Sequence, residues 1–277
     1  MRMDSPELEG FVRDHPRLFI LTGAGVSTGS GIPGYRDIEG NWRRKPPVTH
    51  QEFVRSDAAR KRYWARSLLG WPAIAAAAPN AAHAALAWLE RLGRVTRLVT
   101  QNVDGLHQRA GSRSVLDLHG RLDEVVCLDC GATLARASLQ TAMQQANPAF
   151  ASAAASIAPD GDADADLDFE AFAVPQCAEC GGMLKPDVVF FGDGVPRTRV
   201  EAAFDALAGA DAVLIVGSSL MAYSGYRFCE RARELRKPVG AINRGRTRAD
   251  GLLQLKIEAD CVPTLAALVD ALTAVAH

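Results

Sequence analysis

The chain has 277 residues, 48% hydrophobic and 23% charged, which suits one large domain with a small companion and excludes disorder throughout. A formal net charge of -1 leaves no basic footprint for nucleic acid or an anionic membrane surface. No apolar stretch approaches the roughly 20 residues of a membrane span, and the opening MRMDSPELEGFVRDHP lacks the apolar centre of a signal peptide, so a cytoplasmic protein is expected.

In chain order, the first strand-length apolar run is RLFIL (17–21), which leads into LTGAGVSTGSGIPGYR at 21–36. The spacing Gly23-x-Gly25-x-x-x-Gly29 is one residue longer than the usual dinucleotide pattern, yet it serves the same end. Glycine lets the backbone approach a pyrophosphate, and amides at a following helix start attract it. Residues 60–72 predict a helix on which Tyr63 and Arg66, three apart, share a face. The next run, VTRLV (95–99), ends in TQNVDGLH, five hydrogen-bonding side chains where a plain turn needs only Asn-Gly or Asp-Gly. LDLHG follows with His119, an imidazole able to accept a proton near neutral pH, and His107 is a rival that spacing alone does not remove.

Residues 122–184 break the pattern and read as an inserted module. CLDC and CAEC bring Cys127, Cys130, Cys177 and Cys180, four thiolates that fit a closed and therefore structural zinc site. A redox reading needs a single reactive pair at a helix start. Between the pairs, the acidic run DGDADADLDFE lacks the glycine and glutamate of a calcium loop and is expected to be a solvated excursion. The runs VVFF (188–191), AVLIVG (212–217) and PVGAIN (238–243) complete the alternation, which predicts an α/β fold with a mainly parallel sheet. Gly217-Ser218-Ser219 forms a second small-residue turn and Asn243 a polar strand end, together suited to a phosphate pair and a ribose. Cys229 and Cys261 lie outside the pattern, and the residue type alone makes them small buried apolar groups.

Taken in order, GAGVSTGSGIPGYR, TQNVDGLH, LHG, the paired CxxC units, KPDVVFFGD and VGSSL resemble the sirtuins, NAD-dependent protein-lysine deacylases, over about residues 15–265. RYWARSLLGWP, APDGD and SSLMAYSGYRF are similar to class II members. The resemblance implies a Rossmann-like parallel-sheet domain (1–121 and 185–277) with a small zinc-binding insert (122–184) carrying one structural Zn2+. It implies that NAD+ and an acyl-lysine protein or peptide meet in the cleft between them. The family's catalytic histidine maps onto His119 rather than His107, with Asn102 and Asp104 beside it. Cofactor contacts map onto Gly23, Ala24, Gly25, Ser27, Tyr35, Arg36, Gln101, Asn102 and Asp104, and onto Gly217, Ser218, Ser219, Asn243 and Cys261.

The implied reaction consumes NAD+: the acyl oxygen attacks the ribose carbon bearing nicotinamide, nicotinamide leaves, and His119 activates a ribose hydroxyl. The products are lysine, nicotinamide and 2'-O-acyl-ADP-ribose. Peptide is expected to add as a strand between Phe191-Gly192 and Leu220-Met221-Ala222. Desuccinylating members use a tyrosine and an arginine at similar spacing, so Tyr63 and Arg66 are expected to read a longer or acidic acyl chain. Two departures are Gly34, where many relatives have Asp, and Ala222, where Val is common. Competing expectations are protein mono-ADP-ribosyl transfer, an NAD-sensing interaction module and an ordinary dehydrogenase.

Overall fold

The computed structural model describes residues 5–43, 47–151, 156–157, 163–164 and 168–274; most of the acidic run at 160–170 lies outside them. The first half of the chain forms α1 (Pro6–Asp14), β1 (Leu18–Thr22), α2 (His50–Arg55), α3 (Asp57–Ala76), α4 (Ala81–Arg91), β2 (Val95–Thr100), α5 (Leu106–Arg109) and β3 (Val115–Asp117). The insert region forms β4 (Gly120–Cys127), β5 (Thr133–Ala135), α6 (Arg136–Ala146), α7 (Pro148–Ala151), β6 (Ser156–Ile157), β7 (Ala163–Asp164) and β8 (Leu184–Val188). The remainder is α8 (Arg197–Ala208), β9 (Ala212–Val216), α9 (Tyr223–Glu234), β10 (Val239–Ile242), β11 (Leu255–Ile257) and α10 (Cys261–Ala274).

Six strands pair in the order β11-β10-β9-β1-β2-β3, every pairing parallel, as the apolar runs predict. β1 and β9 are buried along their whole length because helices cover both faces. From β1 the chain winds one way to β2 and β3, and from β9 the other way to β10 and β11. The β1/β9 boundary is therefore the switch point, where a crevice opens at the carboxyl ends of the strands. Local signals start the helices: Ser5 caps α1 ahead of Pro6, Thr49 and Glu52 form a reciprocal capping box on α2, and Ser56 caps α3.

One expected strand takes a different form. VVFF was expected among the strands of the alternating pattern, but β8 begins at Leu184, ends at Val188 and pairs antiparallel with β4 in a separate three-stranded sheet. Pro186 has no amide to give a ladder, and β8 lies at the edge of that sheet, where proline is tolerated. Phe190 and Phe191 thus fall beyond the strand.

The helices before the insert share its core. One buried cluster joins Phe53, Tyr63, Trp64 and Leu68 of α2 and α3 to Leu122, Val125, Leu139, Met143, Phe172 and Leu184. The link has a backbone cause. Pro72 lies inside α3 and has no N–H to give Leu68, so that carbonyl accepts Gln140 Nε2 of α6 instead, at 2.9 Å. Beside it, Arg136 is 1% exposed, donates to the Ser67 carbonyl at 3.2 Å and lies over the Trp71 ring at 4.9 Å. Burial pushes its guanidinium down to about 10.

Replacing Gln140 with Leu leaves the Leu68 carbonyl unpaired and is expected to cost about 1–3 kcal/mol in urea denaturation. Adding Pro72→Ala returns a helical N–H to that carbonyl and should recover most of the loss, giving a measurable interaction energy in a double-mutant cycle.

Candidate functional site

At the switch point, the two glycine turns close on each other. Gly23 N donates to Val216 O at 3.1 Å, and Gly25 N donates to Gly217 O at 2.8 Å. Gly217 has φ +62°, and a Cβ there would meet Val26 N at 2.5 Å. Only glycine permits both the conformation and the approach.

These turns form one end of a cavity of about 990 Å³. Its wall includes every residue assigned above to the cofactor, from Gly23, Ala24, Gly25 and Ser27 through Tyr35 and Arg36 to Gln101, Asn102 and Asp104. Gly217, Ser218, Ser219, Asn243 and Cys261 complete the set from the far strands. The TQNVDGLH turn is knitted into both glycine loops: Gln101 Nε2 donates to Ser218 Oγ at 2.7 Å, and Asn102 Nδ2 donates to Gly23 O and Ser27 Oγ, each at 3.1 Å. Ser27 donates to Asp104 Oδ2 at 2.6 Å, while Leu106 N donates to Asp104 Oδ1 at 2.9 Å. Cys261 opens α10 and donates its thiol to Gly25 O at 3.3 Å; burial pushes it up to about 12, so it is a neutral thiol.

The two candidate histidines part company here. His119 lies in the cavity wall, Nδ1 at 2.9 Å from the Gln101 carbonyl and Nε2 at 2.9 Å from Ser224 Oγ. Burial holds it below its ordinary value, against the opposing Gln101 bond, and the charges of Arg199 and Arg227 push the same way as burial. His107 is 1% exposed and is not in the wall. Its Nε2 meets Thr22 Oγ1 at 2.9 Å, its ring packs 4.8 Å from His83, and burial holds it well below the ordinary range.

The segments expected to hold a peptide also border the cavity. Phe191, Gly192, Met221 and Ala222 are in its wall. His50 N donates to Phe191 O at 2.9 Å, and Gln51 Nε2 donates to Gly192 O at 2.8 Å, so α2 fixes one side. Leu220 adopts φ +56°, a left-handed conformation uncommon for leucine, and its N–H is held by Ser218 Oγ at 3.2 Å. Tyr35, Trp42 and Phe191 meet edge to face with centroids 5.3 to 6.2 Å apart, joining the loop that carries Tyr35 to the segment at Phe191.

Tyr63 and Arg66 are not in the cavity wall. Tyr63 is 6% exposed among Phe53, Trp64 and Phe190, and Phe190 is itself a wall residue, so Tyr63 stands one ring behind the surface. Trp42, Ser224 and Arg227 line the cavity without having been singled out. SSLMAYSGYRF carried the only sequence signal for Ser224 and Arg227, and its α-helical register was needed to aim them.

The four cysteines converge away from this cavity. Their sulfurs all lie within 4.8 Å of one another, with Cys127 to Cys180 at 3.6 Å and Cys130 to Cys177 at 3.8 Å. A tetrahedral zinc with bonds of about 2.3 Å demands sulfur separations of about 3.8 Å, so the donor set fits. Gly131 (φ +76°) and Gly181 (φ +73°) close the two knuckles, each returning its N–H to the carbonyl of the first cysteine. Amides of the first knuckle, that of Cys130 foremost, pull the Cys127 thiol down to about 7. Removing metal with a chelator is expected to abolish the cooperative unfolding of the insert, because zinc binding is worth on the order of 10 kcal/mol to such modules. Metal analysis should return one zinc per chain, and Cys130→Ser should lower that stoichiometry.

Comparison with known proteins adds an independent line. A family model described as "Sir2 family" matches residues 23–224. The chain is 57% identical over 266 residues to an NAD-dependent protein deacetylase of Xanthomonas axonopodis pv. citri, covering 96% of this chain and 91% of that protein. It is 48% identical over 271 residues to the NAD-dependent protein deacylase Sirt4 of Drosophila melanogaster, covering 96% and 87%. Among solved structures it is similar to "Sir2-p53 peptide-NAD+", with a TM-score of 0.78, 26% identity and coverage of 98% and 100%.

Proposed function

The chain belongs to the Sir2 family, and from that premise we propose how its own residues divide the work of an NAD-dependent protein deacylase. It acts on acyl-lysine in proteins or peptides with NAD+ as co-substrate, and the cysteine cluster holds a structural zinc. The observation that carries the residue assignments is convergence: both glycine turns, Gln101, Asn102 and Asp104 of the TQNVDGLH segment and one half-buried histidine line the same cavity.

When bound, NAD+ supplies a ribose carbon made electrophilic by nicotinamide as its leaving group. The amides of Gly23, Gly25 and Gly217 are spent on backbone carbonyls, so within the two turns those of Ala24, Ser218 and Ser219 suit the pyrophosphate. Gln101, Asn102 and Asp104 suit the nicotinamide end, their orientations fixed by bonds to Ser218, Gly23, Ser27 and Leu106. His119 is the base. With Nδ1–H committed to the Gln101 carbonyl, Nε2 carries the lone pair that removes a hydroxyl proton. The segments at Phe191-Gly192 and Leu220–Ala222 take the peptide, and the tyrosine ring behind Phe190 supports a role for Tyr63 and Arg66 at the far end of a long acyl chain.

We take residues 122–184 as the zinc-bearing module, with α2 and α3 lent to its core, and 1–121 with 185–277 as the Rossmann-like remainder. A cytoplasmic setting agrees with six unpaired cysteines and with the absence, among the described residues, of a helix long and apolar enough to cross a membrane.

The test is nicotinamide release and lysine deacylation across acetyl, lipoyl and methylglutaryl peptides, comparing wild type with His119→Tyr. Deacylation should fall by about 10²-fold or more in the variant; NAD+ binding without any acyl-dependent release would move the reading to a transferase or a sensor. Because His119 is held below 6.5, the neutral base survives further into acid, and the acid limb of kcat/KM should fall below pH 6.5. Arg66→Ala should lower the rate on acidic acyl chains relative to acetyl, and an unchanged ratio removes Arg66 from acyl reading.

A further inference from the structure

The first turn of α9 stands directly against His119. Ser224 Oγ lies 2.9 Å from Nε2, while Nδ1 lies 2.9 Å from the Gln101 carbonyl. A carbonyl can only accept, so Nδ1 carries the proton, Nε2 is the lone-pair nitrogen and Ser224 is the donor to it. This close approach depends on Gly225, where a Cβ would meet Gln101 Oε1 at 2.6 Å.

Three residues beyond Ser224, Arg227 lines the same cavity. Its Nε is buried without a hydrogen-bond partner, and the side chain makes no ion pair among the described residues. Its guanidinium lies 5.2 Å from the Tyr223 ring centroid. The charged groups acting on His119 are Arg199 from α8 and Arg227 from α9, both cationic. Arg199 is compensated by Asp187 at 3.1 Å, which leaves Arg227 as the charge without a counter-ion among the described residues.

We propose that Ser224 and Arg227 are positioning residues that hold His119 as the neutral, Nδ1-protonated tautomer with Nε2 reserved for accepting the substrate proton. Ser224 orients the ring and keeps Nε2 an acceptor until a substrate hydroxyl takes its place. Arg227 raises the cost of an imidazolium, so the base stays unprotonated before reaction and sheds its proton readily afterwards. The assignment rests on the reading of His119 as the base.

The experiment is a ¹⁵N-imidazole NMR titration of the NAD-free protein, with thermal melts to show that each variant is folded. Wild-type His119 should titrate below 6.5 as the Nδ1–H tautomer. Ser224→Ala removes the donor to Nε2 and should raise the midpoint by about half to one unit, the worth of one hydrogen bond, with the Nδ1–H tautomer still held by Gln101. Arg227→Gln should raise it with the tautomer kept, while Ser224→Thr and Arg227→Lys should stay near wild type. In kinetics, Ser224→Ala should lower deacylation kcat about tenfold with the KM for NAD+ little changed, and the acid limb should move up with the NMR midpoint. An unchanged midpoint in folded Ser224→Ala and Arg227→Gln overturns the proposal. If the NMR shifts occur but His119→Tyr retains deacylation, the positioning contacts stand and the base assignment fails instead.

Discussion

The site depends on one backbone contact, the Gly25 amide lying on the Gly217 carbonyl at 2.8 Å. A Cβ on Gly25 would sit 2.8 Å from both the Gly217 Cα and its carbonyl oxygen, so a side chain at Gly25 forces the two loops apart. Several other contacts inherit their geometry from this one. Gln101 reaches Ser218 only because the β9 turn lies beside the end of β2's neighbour β1, and the Cys261 thiol finds Gly25 O only because that carbonyl is turned toward α10. Asn80, the cap of α4, adds a second clamp from outside by donating to Val26 O at 2.8 Å and Ser30 Oγ at 2.9 Å. The loop at Gly23–Ser30 is thus held at both ends, by Gly217 on one side and Asn80 on the other.

The strand ends at Thr100 in polar side chains because a parallel strand runs out of ladder at the cavity. The loops beside it still supply carbonyls and hydroxyls at fixed heights: Gln101 and Asn102 donate to the carbonyls of Thr22 and Gly23, and Asp104 accepts from the Ser27 hydroxyl. Such bonds cost little in net stability and much in freedom, which is the useful exchange at a site that must meet a ligand preorganised. His107 shows the other outcome for a polar side chain from the same turn. It folds inward against Thr22 and His83, and burial without a counter-charge leaves it neutral.

What could be read from the residues follows from how local the signals are. Apolar runs, glycine turns and cysteine spacing are properties of a few neighbours, and they located the parallel sheet, the cavity floor and the metal cluster. The direction of β8 was not local: Leu184–Val188 is a strand whose partner, β4, is chosen by the return of the chain through the insert. The sharing of α2 and α3 with the insert was equally hidden, since the proline that frees the Leu68 carbonyl and the glutamine that takes it lie 68 positions apart. Ser224 and Arg227 were not singled out for a third reason. Their types are ordinary on a helix, and only the close approach granted by Gly225 gives one of them a histidine to touch.

The division of labour between the two halves then has a mechanical basis. The parallel sheet fixes the proposed cofactor end through backbone contacts that tolerate no added atom, whereas the proposed substrate end is assembled from segments anchored to different elements. Phe191 and Gly192 are tied to α2, which packs with the zinc-bearing insert, while Leu220 to Ala222 follow β9 of the large sheet. On the proposed function, a peptide entering as a strand has to satisfy both at once. Rigidity at the cofactor end and two independently mounted edges at the substrate end suit an enzyme that must place one co-substrate accurately and accept many protein surfaces. The cysteine cluster bears on this arrangement from outside the cavity, because Cys127 and Cys177 share one buried cluster with Phe53 of α2, the helix that holds Phe191 and Gly192.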